Sequence, residues 1–473
     1  MRVCIIGAGP SGLCSLRNIL SSSKNFGVTL FEQQDDIGGL WNYSGAEVKL
    51  WDSNGNPLVF PMYSDLRCNL PKQLMEFCDF PHKVETETFA SQQDIHDYLL
   101  DYANHLRLWP HIQLHSRVVN VEPLENGTWL VAVENTEAFN VQIYTFDAIM
   151  CCVGLNFYPK IPTICGVEIF QGEILHSKYF KEPSEFHKKR IVCLGLGPSC
   201  ADLCLKLATV AKQVVACHRF PGGFSLGMLP PNVRETASVK RLSEWSVITE
   251  NGEEIPCDVL ILCTGYQPKF PFLCDSLGTA NDDNDSVTNH LYKKMLIPKH
   301  PTFCFVNAHG LAAEFLSLQI QAQYFVRILE GKIKLPSLST IEQTIAKENG
   351  SKGFNKTQKK LTKNLRGKRF ALKDVQDYLQ DLAIEGGFSD DFKHIPLHLR
   401  VFQWVIGRIF GSLAVYRQDQ LRVLTPNVWK YKSVATKHGE KDSENIFHLK
   451  SNGQVTVKDL IEEDECEKKE KYT

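Results

Sequence analysis

None of the sixteen cysteines stands in a C-x-x-C pair. That absence removes the paired-thiol redox motif and the usual zinc ligand spacing. Several cysteines (Cys4, Cys151, Cys152, Cys193, Cys263) lie inside apolar runs that read as strands, so they read as small buried hydrophobes in a reducing compartment. No apolar run is long enough to span a membrane: the most apolar late stretch, Ile395 to Tyr416, is interrupted by Arg400 and Arg408 and reads as a packed helix. There is no excess of charge, since the formal net charge is −2, and nucleic acid or an anionic membrane surface is not an expected partner. No basic leader precedes the first apolar run, so no secretory signal is expected and a soluble, cytoplasmic protein is. No catalytic triad or metal-ligand cluster is evident. What remains is ordinary globular composition, 43% hydrophobic and 22% charged, in 473 residues, enough for two or three domains with a large core.

What the chain does have is a glycine-rich turn, twice. Arg2 to Ile6 is a short apolar run that fits a buried parallel strand. Gly7-Ala8-Gly9-Pro10-Ser11-Gly12 follows, then helical spacing over Leu13 to Leu20. In such a turn glycines let the backbone approach a pyrophosphate, and the helix N-terminus offers N–H groups and a positive dipole end. Val28 to Phe31 is the next strand and ends on Glu32, placed to accept a hydrogen bond from a ribose hydroxyl. Ile37-Gly38-Gly39-Leu40-Trp41 comes next, and its double glycine lets the chain lie against a second part of the same ligand; Trp41 reads equally well as core. Met62 to Pro81, broken by Pro71 and Pro81, reads as a loop lining a site. Asn69 is its candidate functional residue, because an amide both donates and accepts; the alternative is an asparagine that satisfies its own turn. Hairpin strands are expected over Val118–Val121 and Trp129–Val133, and a buried strand over Phe146–Val153.

The second turn is Gly195-Leu196-Gly197-Pro198-Ser199-Cys200-Ala201, after a strand over Arg190–Leu194. Cys200 stands where a third glycine is usual. That glycine serves helix–strand packing rather than phosphate contact, so a small residue is tolerable there. The next strand, Val214–Cys217, ends on His218-Arg219 instead of an acid. A cation welcomes a ribose 2′-phosphate where an acid would repel it, which favours NADP(H) over NAD(H); the alternative is a solvated surface arginine. Val259–Cys263 with Thr264-Gly265-Tyr266 mirrors Phe146–Gly154, so the second unit reads as inserted into the first.

The expected fold class is α/β, with two Rossmann-like dinucleotide-binding domains. Residues 1–160 and 271–335 form the first, residues 161–270 the inserted second, and residues 336–473 a mainly helical extension with a disordered tail. Within the later regions a strand is expected over Thr302–Val306 and helices over Ala312–Leu329, Asp374–Leu382 and Leu397–Arg408. Asn281–Ser286 reads as a polar loop and the lysine-rich stretch Gly350–Lys368 as a solvated segment.

Phe170, Gly172, His176 and Phe180 complete a pattern. They match the FxGxxxHxxx(Y/F) fingerprint of flavin-dependent monooxygenases. With both turns, Ile37 to Trp41, Asn69-Leu70-Pro71-Lys72 and Cys263-Thr264-Gly265-Tyr266, the chain resembles the flavin-containing monooxygenases of the dimethylaniline, N-oxide-forming class. It is most similar to their insect, senecionine N-oxygenase-like branch, and the resemblance covers about residues 1 to 335. The resemblance implies FAD contacts from Gly7, Gly9, Pro10, Ser11, Gly12, Glu32, Gly39, Leu40, Trp41 and Asn69. It implies NADPH contacts from Cys68, Asn69, Gly195, Gly197, Ser199, Cys200, Ala201, Asp202 and Arg219. It further implies an FAD- and NADPH-dependent enzyme that forms a C4a-hydroperoxyflavin and oxygenates the nitrogen or sulfur of a small amine or sulfide with O2, with Asn69 beside the reacting flavin edge. A homodimer is expected by analogy, and the fingerprint is expected to be structural, with His176 not a base. The rivals are a Baeyer–Villiger enzyme, whose fingerprint continues with tryptophan where Phe180 and Lys181 stand, an NADPH oxidase, a flavin disulfide reductase, and a non-catalytic NADPH-binding flavoprotein.

Overall fold

A computed structural model describes residues 1–43, 45, 58–221, 229–277, 290–310, 314–350, 370–411, 415–434 and 442–460. The polar loop Asn281–Ser286, the lysine-rich stretch after Gly350 and the charged tail from Glu462 lie outside the described residues.

The first parallel layer grows from β1 (Arg2–Ile6), α1 (Pro10–Leu20) and β2 (Gly27–Phe31). After α2 (Gln92–His105) come β3 (Ile112–Gln113), the antiparallel trio β4 (Ser116–Pro123), β5 (Trp129–Asn135) and β6 (Val141–Phe146), and β7 (Ala148–Cys151). The chain then passes through β8 (Tyr158–Pro159) into a second set: β9 (Glu173–His176), β10 (Arg190–Leu194), α3 (Pro198–Ala208), β11 (Gln213–His218) and β12 (Val233–Ala237). A second antiparallel trio, β13 (Val239–Leu242), β14 (Ser246–Thr249) and β15 (Glu254–Pro256), leads to β16 (Val259–Leu262) and β17 (Tyr266–Gln267). The return to the first layer is made by β18 (Leu296–Ile297), β19 (His300–Phe305) and α4 (Glu314–Leu329).

Six strands in the order β18-β19-β7-β1-β2-β3 form the first sheet and five in the order β12-β11-β10-β16-β9 the second. The second is parallel throughout; in the first only the β18–β19 pair is antiparallel. Its five strands fall in sequence between β7 and β19, and β8 pairs antiparallel with β17 where the chain leaves and returns. Both sheets are covered on both faces, which is why their central strands are continuous apolar runs. Along β1, Val3 and Ile5 face α1 and α4, whereas Cys4 and Ile6 face Val121, Trp129 and Val131 of the antiparallel trio. The second sheet repeats the plan: Ile191 and Cys193 pack on Leu203 and Leu207 of α3, and Val192 packs with Leu242, Val247 and Ile255 of its own trio. The run Phe146–Val153, expected as one strand, is divided at Asp147, because Phe146 ends β6 while β7 begins at Ala148.

The C-terminal part carries the expected helices, Phe370–Glu385 and Ile395–Gly411, after α5 (Leu338–Gly350). With them stands an antiparallel sheet that the sequence reading does not anticipate: β20 (Gln420–Thr425), β21 (Val428–Ser433), β22 (Ser443–Leu449) and β23 (Val455–Leu460), in that spatial order. Its signal is the strict alternation in β21, where Trp429, Tyr431 and Ser433 are buried and their neighbours are not. Leu397, Val401, Trp429, Tyr431 and Phe447 share one core with α3 and with Tyr63 and Phe89. Among the described residues no helix is long and apolar enough to cross a membrane.

Candidate functional site

The first turn is built from backbone in close approach. Gly7 has φ +97°, a conformation that disfavours a side chain, and a Cβ there would meet the Cys152 carbonyl oxygen at 2.9 Å. Helix α1 starts on Gly9 with Pro10 in its first turn and no side-chain cap, so the N–H groups of Ser11 and Gly12 are left for a ligand. The double-glycine loop lies against this turn: a Cβ on Gly39 would stand 3.0 Å from the Gly9 Cα, and the Gly38 N–H donates to the Ala8 carbonyl at 2.9 Å. Gly38 itself sits at φ +111°. Gln34 Nε2 donates to the Gly39 carbonyl at 3.0 Å, His96 Nε2 pairs with the Ile37 carbonyl at 3.0 Å, and Gln92 bonds the Trp41 carbonyl. Leu40 and Trp41 are half-buried, Trp41 against the main core.

Glu32 is 4% exposed at the end of β2. Its carboxylate accepts the Ala8 N–H at 2.6 Å and the Gln34 N–H at 3.0 Å, so it ties the strand end to the phosphate turn. Burial raises its pKa, against the lowering by those N–H groups.

The second turn repeats the backbone with different side chains. Gly195 has φ +143° and a Cβ there would meet the Cys263 carbonyl oxygen at 2.2 Å. Helix α3 starts on Gly197, again uncapped and with Pro198 in its first turn, leaving the N–H groups of Ser199 and Cys200 without intrahelical partners. Ser199 is exposed; Cys200 and Ala201 are buried. The Cys200 thiol does not reach toward the turn: it lies in the layer between α3 and the sheet, 4.0 Å from the Cys204 thiol and in the cluster that holds Cys193 and Cys263. At the end of β11, His218 is buried; its Nδ1 accepts the Phe220 N–H at 3.2 Å and its Nε2 faces Glu235 at 3.0 Å. Arg219 is exposed and has no acidic partner among the described residues.

Asn69 lies half-buried in the loop between these layers, and among the described residues its side-chain amide has no hydrogen-bond partner. It does not satisfy its own turn. Three neighbours hold the loop. The Cys68 N–H donates to the Ala90 carbonyl at 2.8 Å, and burial pushes the Cys68 thiol up to about 12. Lys72, only 7% exposed, donates to the carbonyls of Lys83 at 2.5 Å, Val84 at 3.1 Å and Thr86 at 2.6 Å. Asp202, 7% exposed in the first turns of α3, accepts from the Tyr63 hydroxyl and from the Arg417 guanidinium. The structure therefore brings Cys68, Asn69 and Asp202 to one junction, and it engages the Asp202 carboxylate with protein donors. Tyr63, Arg417, Gln34 and the three-carbonyl role of Lys72 are absent from the sequence reading, since no local pattern marks them.

The fingerprint residues are in the scaffold. A Cβ on Gly172 would collide with the Phe170 ring at 2.4 Å. Phe180 is buried against Phe186 and Tyr63. The His176 Nδ1 accepts the Lys178 N–H at 3.1 Å, so its Nε2 carries the proton and donates to the Gly265 carbonyl at 3.0 Å. Burial lowers the His176 pKa, and both ring nitrogens are engaged with backbone groups. Among the described residues no group of three metal-ligating side chains is assembled.

The chain is similar to known proteins over most of its length. The sequence profile of flavin-binding monooxygenase-like proteins matches residues 1–230 and 226–432. Senecionine N-oxygenase of Tyria jacobaeae is 29% identical over 443 residues, covering 91% of this chain and 92% of that protein. Dimethylaniline monooxygenase (N-oxide-forming) 2 of Rattus norvegicus is 28% identical over 509 aligned positions, covering 91% of this chain and 90% of that protein. Among solved structures, Tmm from Pelagibacter sp. superposes with a TM-score of 0.76 at 26% identity, covering 89% of this chain and 94% of that one. S-allyl-L-cysteine S-oxygenase from Allium sativum gives a TM-score of 0.69 at 24% identity over 85% of this chain and 93% of that one, which speaks to the fold.

Proposed function

Because the chain belongs to the flavin-binding monooxygenase-like family, we propose that it holds FAD at the first turn and NADPH at the second and oxygenates a soft nitrogen or sulfur atom of a small molecule. The observation that carries this reading is the contrast between the two strand ends. The first ends on Glu32, a buried acceptor suited to ribose hydroxyls; the second ends beside Arg219, an exposed cation with no acidic partner among the described residues. One dinucleotide without a 2′-phosphate and one with it fit that pair.

FAD held at the first turn would supply the oxygen-activating chemistry, with NADPH as the reductant. The chain's own residues bind and orient. Gly7, Gly9, Pro10, Ser11 and Gly12 cradle the first pyrophosphate, and Gly39, Leu40 and Trp41 close over it. Gly195, Gly197, Ser199 and Ala201 cradle the second, with the Cys200 N–H beside them. The Asn69 amide, without a hydrogen-bond partner among the described residues, is the donor and acceptor offered to the reacting edge. A His176 whose two ring nitrogens are engaged with backbone groups fits chemistry that needs positioning and water exclusion more than proton transfer. Nitrogen as the acceptor atom is supported by the N-oxygenase and N-oxide-forming relatives.

The test uses purified, flavin-loaded protein in a stopped-flow instrument. It is reduced with NADPH without oxygen, then mixed with O2 alone or with O2 and a tertiary amine or sulfide. A flavin spectrum that returns faster with the nucleophile, with one NADPH consumed per oxide formed, is the expected result. Prompt peroxide release regardless of nucleophile would make it an NADPH oxidase, and no reduction by NADPH would leave a binding protein. Asn69→Ala should release peroxide in place of product; a variant that oxygenates as well as the parent removes the role given to Asn69.

A further inference from the structure

The unassigned part of the chain is its C-terminal extension, and Arg417 carries it onto the backbone that leads into Asn69. We infer that Arg417 is a positioning residue that fixes the Asn69 loop against the second nucleotide unit, with Asp202 as the shared anchor. The inference rests on the reading above that Asn69 serves the flavin site.

Arg417 lies just before β20, and its guanidinium divides three ways. Nη1 binds Asp202 Oδ1 on α3, Nη2 donates to the Arg67 carbonyl at 3.1 Å, and Nε donates to the Cys68 carbonyl at 3.3 Å. The Cys68 carbonyl belongs to the peptide that enters Asn69, so the guanidinium sets the plane from which the Asn69 side chain leaves. The other Asp202 oxygen is taken by the Tyr63 hydroxyl, and the Tyr63 ring meets Phe180 edge-on, centroids 5.3 Å apart. Burial, then the neighbouring Asp202 carboxylate, pushes the Tyr63 pKa well up, so the phenol stays a donor. The carboxylate thus joins α3, the fingerprint segment, the loop and the C-terminal extension. A second strap runs alongside, where Gln73 Nε2 donates to the Leu421 carbonyl of β20 at 2.9 Å. Tyr416 packs edge-on against Phe89 at 5.4 Å, which holds the backbone of Arg417 in place.

The fork matters chemically. A lysine offers one point charge and cannot meet a carboxylate and two carbonyls with fixed planar geometry. Side chains at Asp202 and Arg417 are 9% and 24% exposed, so the pair is screened less than a surface ion pair.

The experiment compares flavin-loaded parent, Arg417→Ala and Arg417→Lys by amide hydrogen exchange and by the ratio of peroxide released to NADPH consumed with an amine present. Exchange in residues 64–70 is expected to speed up at least tenfold in Arg417→Ala, with the β10, β11 and β16 amides unchanged, and the peroxide ratio to rise. Arg417→Lys should show the same two changes in smaller degree. Combining Arg417→Ala with Asp202→Asn should add little, since both remove one contact. Unchanged exchange in 64–70 for a folded variant overturns the proposal, as does an unchanged peroxide ratio. Should Arg417→Ala fail to fold, Arg417→Lys decides by the same two readouts. Faster exchange in a protein that never oxidises NADPH would sink the catalytic reading while the strap itself stood, so the two failures are told apart.

Discussion

Restoring glycine at position 200 should cost stability and gain no cofactor affinity. The usual glycine of this motif allows a helix to pack closely on its strand, and here a thiol occupies that space. Cys200 is 0% exposed and shares a layer with Cys193, Cys204, Cys263 and Leu203. Cys200→Gly removes two buried heavy atoms, worth roughly 0.8 kcal/mol each by transfer, before any cavity cost. Glycine in the first turn of a helix adds about 0.5 kcal/mol. The total is about 2 kcal/mol, which for a unit of about 110 residues lowers Tm by roughly 9 °C. The phosphate side should not notice, because the Cys200 N–H stays and the thiol points into the layer rather than the turn. Differential scanning fluorimetry and NADPH steady-state kinetics on the same preparation measure both. A KM for NADPH that improves fivefold or more, or a Tm that does not fall, would refute the reasoning and mean that the thiol obstructs the turn.

Glu32→Gln keeps the shape but points an amide N–H₂ at one of two buried N–H groups, the Ala8 or the Gln34 donor. An orphaned buried donor costs about 1–3 kcal/mol, so FAD dissociation measured by flavin fluorescence should weaken by about tenfold or more. Arg219→Ala should raise the KM for NADPH about tenfold while leaving NADH within twofold, since one exposed charge-assisted contact is worth about 1.4 kcal/mol; equal effects on both coenzymes would deny Arg219 the 2′-phosphate. Glu76, pushed up to about 7 by burial against the His82 N–H bond, holds its proton in the folded state above its ordinary 4.5. The native state therefore binds the extra proton between those values, stability falls as pH rises through that window, and Glu76→Gln should melt higher than the parent at pH 8 but not at pH 4.

The parts of the fold that were legible are those encoded by neighbouring residues. β1, its glycine turn and α1 follow from an apolar run, a positive-φ glycine and a helical period within twenty residues. The same is true of β10, Gly195 and α3. The division at Asp147 was not legible, because an apolar run does not say which sheet each half joins; the Asp147 carboxylate accepts the Arg2 N–H and marks the point where the antiparallel trio gives way to the parallel layer. The C-terminal sheet did leave a trace, the alternation of Val428 to Ser433, overshadowed by the more obvious helix over Ile395–Gly411. At the site, Glu32 was visible as an acid at a strand end, but its bond to Ala8 was not. Asp202 was read as a cofactor contact; its partners Tyr63 and Arg417 lie 139 and 215 residues away, beyond any local pattern.

The two glycine-turn units are built on one plan, a largely parallel sheet with helix on one face and an antiparallel trio on the other, so the plan cannot be what would distinguish the ligands proposed for them. The difference lies in a few side chains that the plan leaves unassigned. In the first unit the strand-end acid is turned inward and braced by the turn itself. In the second, the strand-end histidine is spent on Glu235 and the cation next to it is left outward. A cofactor that stays bound suits the first arrangement and one that enters and leaves in each cycle suits the second. On the function proposed above the loop of Asn69 would have to answer to both, and that would be a physical reason for anchoring it on α3 and on the C-terminal extension at the same carboxylate.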